Sequence, residues 1–139
     1  MSIDITPAIE ADYAEIAELW FRSWLSTGAE HGEGITVEVL IQRLHDEPWD
    51  IWAARSKGRI AAFLAIDRAD ACLSQLFAAP EFQNRGVGLQ LFRLAQREMP
   101  EGFRLRTDEG NVGARRFYDR HGLLLDRMDG GRVYYRWHP

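Results

Sequence analysis

The chain has 139 residues, is 46% hydrophobic and 27% charged, and carries a formal net charge of −4. That length suits one domain around one solid core; the acidic balance, with no basic groove of interleaved aromatics, argues against a nucleic-acid partner, and no apolar run approaches the ~18 residues of a membrane span. A lone cysteine, Cys72, excludes an internal disulfide framework, and His31, His45, His121 and His138 show no metal-ligand spacing, so a cytoplasmic protein with no metal, no membrane partner and no leader pattern at residues 1–4 is expected.

In chain order, residues 2–6 alternate like a half-buried strand. Thr6-Pro7 then reads as an N-cap with proline at the first helical position. Ile9, Tyr13, Ile16, Trp20 and Trp24 recur at helical steps and give a long helix one apolar face. Residues 28–34 read as a loop containing glycine, acids and histidine. A second helix is predicted over 36–44, opened by a Thr36 cap and closed before Pro48. Strands over 51–54 and 59–66 flank the turn Ser56-Lys57-Gly58, and a third strand over 72–78 is ended by Pro80.

The next helix buries Val87, Leu91, Leu94 and Ala95 and stops at Met99-Pro100. Residues 103–106 form a short strand, 111–121 a helix stopped by Gly122, and 123–127 and 132–137 a hairpin around Asp129-Gly130-Gly131. The order β-α-α-β-β-β-α-β-α-β-β predicts an α+β fold, a three-layer α/β arrangement in which helices flank a central mixed sheet, in a single domain over 1–139. The strand over 133–137, long and aromatic, is a candidate for pairing across a homodimer interface.

The segment Gln83-Asn84-Arg85-Gly86-Val87-Gly88 lies between a strand and a helix start. Amides at a helix N-terminus have no intrahelical acceptor, and the helix dipole adds positive potential, so this loop is an anion cradle. Glycines at 86 and 88 remove the Cβ atoms that would hold a phosphate off those amides. A second constellation follows at Asn111-Val112-Gly113-Ala114-Arg115-Arg116-Phe117-Tyr118, then Gly122. Taken singly, Asn111 reads as a helix cap and Tyr118 as a packing aromatic.

Together the two stretches resemble the GNAT superfamily of acyl-CoA-dependent N-acyltransferases. The first matches the family's strand followed by Q/R-x-x-G-x-G/A, the second its N-x-x-A-x-x-x-Y helix. The resemblance implies a splayed sheet, parted between its fourth and fifth strands, and an acetyl-CoA-dependent acetyltransferase. It implies that Gln83, Asn84, Arg85, Gly86, Val87, Gly88 and Leu89 bind coenzyme A, with the amides from Arg85 to Leu89 on its pyrophosphate. The backbone of Leu76, Phe77 and Ala78 would hold the pantetheine arm as an added strand, and Asn111 would contact that arm. Tyr118 would sit near the thioester sulfur and protonate the departing thiolate. A thiol of pKa about 8.5 leaves readily beside a phenol of pKa about 10, and direct attack by an amine needs no protein nucleophile. Cys72 is then a buried strand residue.

The general base stays open among Glu30, His31, Glu33, Asp108, Glu109 and a water relay. In the family branch that acetylates protein N-termini a glutamate lies five residues before the helix asparagine; Arg106 stands there in this chain. Charge divides along the chain: residues 1–50 hold eleven acids against Arg22 and Arg43, and residues 51–139 hold fifteen bases against ten acids. If the acidic helices flank the acceptor site, the acceptor is a small cationic amine or a basic side chain. Two other classes remain: an acyl-CoA-binding sensor without turnover, and a nucleotide-binding module, which lacks the lysine a P-loop places after its glycines.

Overall fold

In a computed structural model, the structure describes residues 2–26, 34–83 and 85–139. Strand β1 (Asp4–Pro7) leads through a 3-10 turn (Glu10–Asp12) to α1 (Tyr13–Ser26) and α2 (Val37–Asp46). An antiparallel run follows: β2 (Asp50–Ser56), β3 (Arg59–Asp67) and β4 (Cys72–Ala78). Then come α3 (Val87–Glu98), β5 (Phe103–Asp108), α4 (Val112–Arg120), β6 (Leu124–Asp129) and β7 (Arg132–Trp137). The seven strands form one mixed sheet in the order β1-β2-β3-β4-β5-β7-β6. The predicted element order and fold class hold.

Local chemistry accounts for most boundaries. Thr36 Oγ1 accepts from the Val39 amide at 3.2 Å and opens α2. Lys57 and Gly58, both at positive φ, form the tight turn of the β2–β3 hairpin. Gly122 at φ +82 ends α4. The start of α1 differs from expectation. Thr6-Pro7 does not cap it; Pro7 is the last residue of β1 and lies opposite Trp52. An edge strand tolerates a proline because its outer N–H has no ladder to complete. The helix begins instead at Tyr13, after a turn in which Asp12 Oδ2 accepts from the Ile9 amide at 2.9 Å. The Asp12 carboxylate also meets Arg55 at 2.7 Å, tying that turn to β2.

Two apolar clusters sit on opposite faces of the sheet. Helices α1 and α2 cover one with Ile16, Trp20, Leu40 and Leu44 against Phe63 and Ala65. Helices α3 and α4 cover the other with Leu91, Phe92, Ala95 and Tyr118 against Leu64, Leu105 and Tyr135. The Phe92 ring, 1% exposed, lies 5.8 Å from Phe103 and 5.6 Å from Phe117, so it joins α3 to β5 and α4. Phe92→Ala is expected to cost about 3–5 kcal/mol in urea unfolding; a loss under about 1 kcal/mol would show that the site collapses around the gap.

Two features position the site. Parallel strands β4 and β5 share a single paired position, Cys72 with Arg104. Beyond it they part, so the sheet is splayed and β4 presents an open edge from Leu73 onward. Cys72, expected to be buried, is half-buried at the closed end of this wedge. The second feature is β7, which pairs with β5 on one side and β6 on the other. Both of its edges are occupied, so it has no free ladder to offer a second chain, and the homodimer expectation loses that basis.

Candidate active site

The glycine loop lies at the mouth of the wedge. A 3-10 turn (Pro80–Phe82) follows β4, and Gly86, at φ +80, stands before the first residue of α3. That left-handed conformation suits glycine and turns the chain sharply into the helix. The Gln90 amide makes the first turn's bond to the Gly86 carbonyl at 3.1 Å, which leaves the amides of Val87, Gly88 and Leu89 ahead of the ladder. A Cβ built on Gly86 or Gly88 meets nothing within 4 Å, so the space over these amides is open. The Val87 side chain is buried in the core, so only its backbone faces the cradle. The Gln83 side chain turns inward: its Nε2 donates to the Ala78 carbonyl at 3.1 Å and to Ser23 Oγ at 3.4 Å, tying the loop to β4 and α1. Arg85 is exposed beside the cradle, and Asn84 lies outside the described residues.

The open edge of β4 alternates in what it presents. The Ala79 amide donates to the Ala61 carbonyl at 2.8 Å, and Phe77 lies opposite Phe63 two residues earlier, so the backbone groups of Phe77 face β3. Those of Leu76 and Ala78 therefore face the wedge. The Ala78 carbonyl is already taken by Gln83. The Leu76 amide and carbonyl and the Ala78 amide face the open wedge, whereas the Phe77 backbone is turned to β3.

Asn111 caps α4, its Oδ1 accepting from the Ala114 amide at 3.2 Å, and its amide donates to the Asp108 carbonyl at 3.0 Å. Tyr118, 7% exposed, lies on the α3/α4 side of the sheet within the cluster that holds Leu76, Ala78 and Val87. Its ring stands 5.5 Å from Tyr135, 5.5 Å from Phe117 and 6.3 Å from Phe92. Burial, reinforced by the neighbouring Tyr135 hydroxyl, pushes the Tyr118 phenol far above its ordinary value. The Tyr135 hydroxyl is itself fully buried and has no hydrogen-bond partner among the described residues. The two tyrosine rings are thus neighbours on the α3/α4 side of the sheet, with Arg115 and Asp119 close to the Tyr135 hydroxyl.

On the opposite face the wedge opens into a cavity of about 360 Å³ between α1, α2, β4, β5 and the start of α4. Trp20, Trp24 and Phe77 form its apolar wall, and Asn111 and Asp108 also line it. A broader groove of about 960 Å³ adjoins it toward the closed end of the wedge and the exposed face of β5, β7 and β6. Tyr118 and the start of α3 therefore lie on one side of the sheet and this cavity on the other, with the open β4 edge between them. Of the candidate bases, Asp108 lines the cavity, whereas Glu109 is exposed and outside its lining. Glu30, His31 and Glu33 lie outside the described residues.

The described part of the cavity lining is basic, while Glu30 and Glu33 of the acidic N-terminal half lie outside the described residues. That described lining holds Arg43, Arg106 and Arg132 against one carboxylate, Asp108. Three acids of the N-terminal half have partners: Glu15 accepts from the Ile60 amide at 2.7 Å, Asp46 from Gln42 at 2.9 Å, and Glu47 lies 3.8 Å from the cavity's Arg43. Sequence halves are not spatial halves, because β5 and β7 carry the C-terminal arginines across to the face that α1 and α2 border. Arg106 and Arg132 as cavity residues were not singled out, yet a signal was present. Alternation in Phe103-Arg104-Leu105-Arg106 and in Arg132-Val133-Tyr134-Tyr135-Arg136 sets arginines on one face and apolar residues on the other.

Among the described residues, no group of His, Cys, Asp and Glu side chains could hold a metal ion. No helix is long and apolar enough to cross a membrane. The fold is similar over its whole length to PaiA N-acetyltransferase from Thermoplasma acidophilum in complex with coenzyme A (TM-score 0.82, 20% identity, all of both chains). It is also similar to an acetyltransferase from Thermus thermophilus (TM-score 0.80, 19% identity, 100% of this chain and 98% of that one). The yncA protein from Salmonella typhimurium, solved with its cofactor acetyl-CoA, matches at TM-score 0.75 and 14% identity over 99% of this chain and 94% of its own. No curated protein matches the sequence. A family model described as Acetyltransferase (GNAT) family matches residues 13–123, which is most of the chain. The chain belongs to the GNAT acetyltransferase family.

Proposed function

We propose that the protein transfers an acetyl group from acetyl-CoA to a primary amine by direct attack in a ternary complex. The observation that carries this reading is the wedge between β4 and β5: a backbone edge and a helix N-terminus open on one side of it, and a separate cavity on the other. The residues present fit the donor. The amides at 86–89 are free to bind a pyrophosphate, with the helix dipole behind them. Leu76 and Ala78 accept a pantetheine arm as an incomplete strand, and Asn111 contacts that arm. Two of the solved relatives carry coenzyme A or acetyl-CoA, which supports the same assignment.

Bound acetyl-CoA supplies an activated carbonyl and a good leaving group. The amine nitrogen forms a bond to the carbonyl carbon, the C–S bond breaks, nitrogen gives up one proton and sulfur gains one. The residues of the chain serve the two ends of that exchange. Asp108 is the described carboxylate placed to take the nitrogen's proton, directly or through water. Tyr118 serves the sulfur. Because its phenol is held far above its ordinary value, it stays protonated and donates a hydrogen bond to the developing thiolate, which takes its proton from solvent water as coenzyme A departs.

The test is thiol release measured with an amine library at saturating acetyl-CoA. Amine-dependent release supports transfer. Coenzyme A binding by calorimetry with no release for any amine would instead favour the acyl-CoA-binding sensor.

A further inference from the structure

We infer that the acceptor is a primary amine that also carries an oxyanion, a carboxylate or phosphate, seated on Arg106 and Arg132 in the cavity on the α1/α2 side. This rests on the acetyl-transfer reading above and names its substrate class.

The two arginines come from neighbouring strands. Arg106 lies opposite Tyr134, and Arg132 lies two residues along β7 opposite Asp108, so the arginines are diagonal neighbours on one face. Such positions are roughly 7–8 Å apart, within reach of a shared oxyanion for side chains this long. Their neighbours on the same sheet face are spoken for: Arg104 pairs with Asp70, and Arg136 lies 3.5 Å from Asp126. The third arginine of the cavity, Arg43, stacks 5.3 Å from the Trp20 and Trp49 rings and pairs with Glu47. Arg106 and Arg132 have no carboxylate within ion-pair distance among the described residues. Arg106, which contacts the Tyr134 phenol, and Arg132 therefore bring two guanidinium groups without a carboxylate partner among the described residues to a concave site whose other wall is tryptophan and phenylalanine.

A second observation reports the same field. The Tyr134 phenol, on the exposed face beside Arg106, is held below its ordinary value chiefly by its contact with Arg127, with Arg106 adding to the effect. Arg127 lies 4.2 Å over the same ring. Positive potential of this kind repels a polyamine and binds an anion. It also lowers the pKa of an ammonium group held nearby, which raises the fraction present as neutral nucleophile. The anchor thus shares with Asp108 the work of preparing the amine.

Initial rates of thiol release with matched amine pairs test this: glycine against glycinamide, O-phosphoethanolamine against ethanolamine, and putrescine as the cationic arm. The anionic member of at least one pair should lead its neutral partner in kcat/KM by about 10- to 100-fold, and the pair with the larger ratio identifies carboxylate or phosphate. Arg106→Gln and Arg132→Gln should each collapse that ratio through KM, with calorimetric coenzyme A binding reporting that the variant is folded. Faster turnover of putrescine or of both neutral amines would overturn the acceptor class while leaving acetyl transfer standing. Coenzyme A binding with no thiol release from any member would overturn acetyl transfer itself, and the acceptor class with it.

Discussion

A Gly86→Glu variant is expected to lose acetyl-CoA affinity by at least about 100-fold, roughly 2.7 kcal/mol, in titration calorimetry. Three effects act together. Gly86 sits at φ +80, where a residue bearing a Cβ is strained by roughly 1–2 kcal/mol, so the turn into α3 is distorted. The new side chain enters the open space over the amides of Val87, Gly88 and Leu89, where a Cβ meets nothing within 4 Å. Its carboxylate then competes with the donor's phosphates for the same positive end of the helix. Gly86→Ala separates these causes, since it carries the strain without the charge and should lose only about tenfold, the backbone part of the effect. Unchanged affinity in the glutamate variant would remove the loop from the donor site.

The second large effect is at Tyr118. On the proposed reading Tyr118→Phe lowers kcat by about 100-fold and leaves the KM for acetyl-CoA within about twofold, because the lost interaction forms only as the C–S bond breaks. Stability gives this test its clarity. Tyr118 is packed among Phe92, Phe117 and Tyr135, and its burial disfavours the ionised phenolate. Deleting a buried hydroxyl while keeping the ring is close to neutral for folding, so a fall in turnover cannot be assigned to unfolding. The sign of the pKa shift adds a pH readout. A phenol raised above its ordinary value remains protonated through neutral and mildly alkaline pH, so no alkaline loss of kcat from Tyr118 ionisation is expected below about pH 10. Unchanged kcat in the phenylalanine variant would take Tyr118 out of the reaction.

Much of this architecture is legible in local sequence. The Thr36 cap, the Lys57-Gly58 and Gly130-Gly131 turns and the stop at Gly122 each reflect backbone chemistry that spans a few residues. The loop at 83–88 is legible for the same reason, since a strand, two glycines and a helix start dictate its form. What local pattern does not carry is partner choice between distant strands. Residues 133–137 read as an available edge, yet β7 is inserted between β5 and β6 by long-range pairing. Pro7 reads as a helix start, and the pairing of β1 with β2 overrides that local preference. The charge of the cavity lining was hidden by the same limit. Arg106 and Arg132 become neighbours only once β5 and β7 are paired in register, and Glu15, Asp46 and Glu47 prove to be engaged with Ile60, Gln42 and Arg43.

The central claim is that donor and acceptor meet across the parted strands and react directly. Initial rates of amine-dependent thiol release, with acetyl-CoA and the amine both varied, test it most directly. A ternary complex predicts double-reciprocal lines that intersect. Parallel lines, the mark of a covalent acetyl-enzyme, or the absence of any amine-dependent release would contradict it.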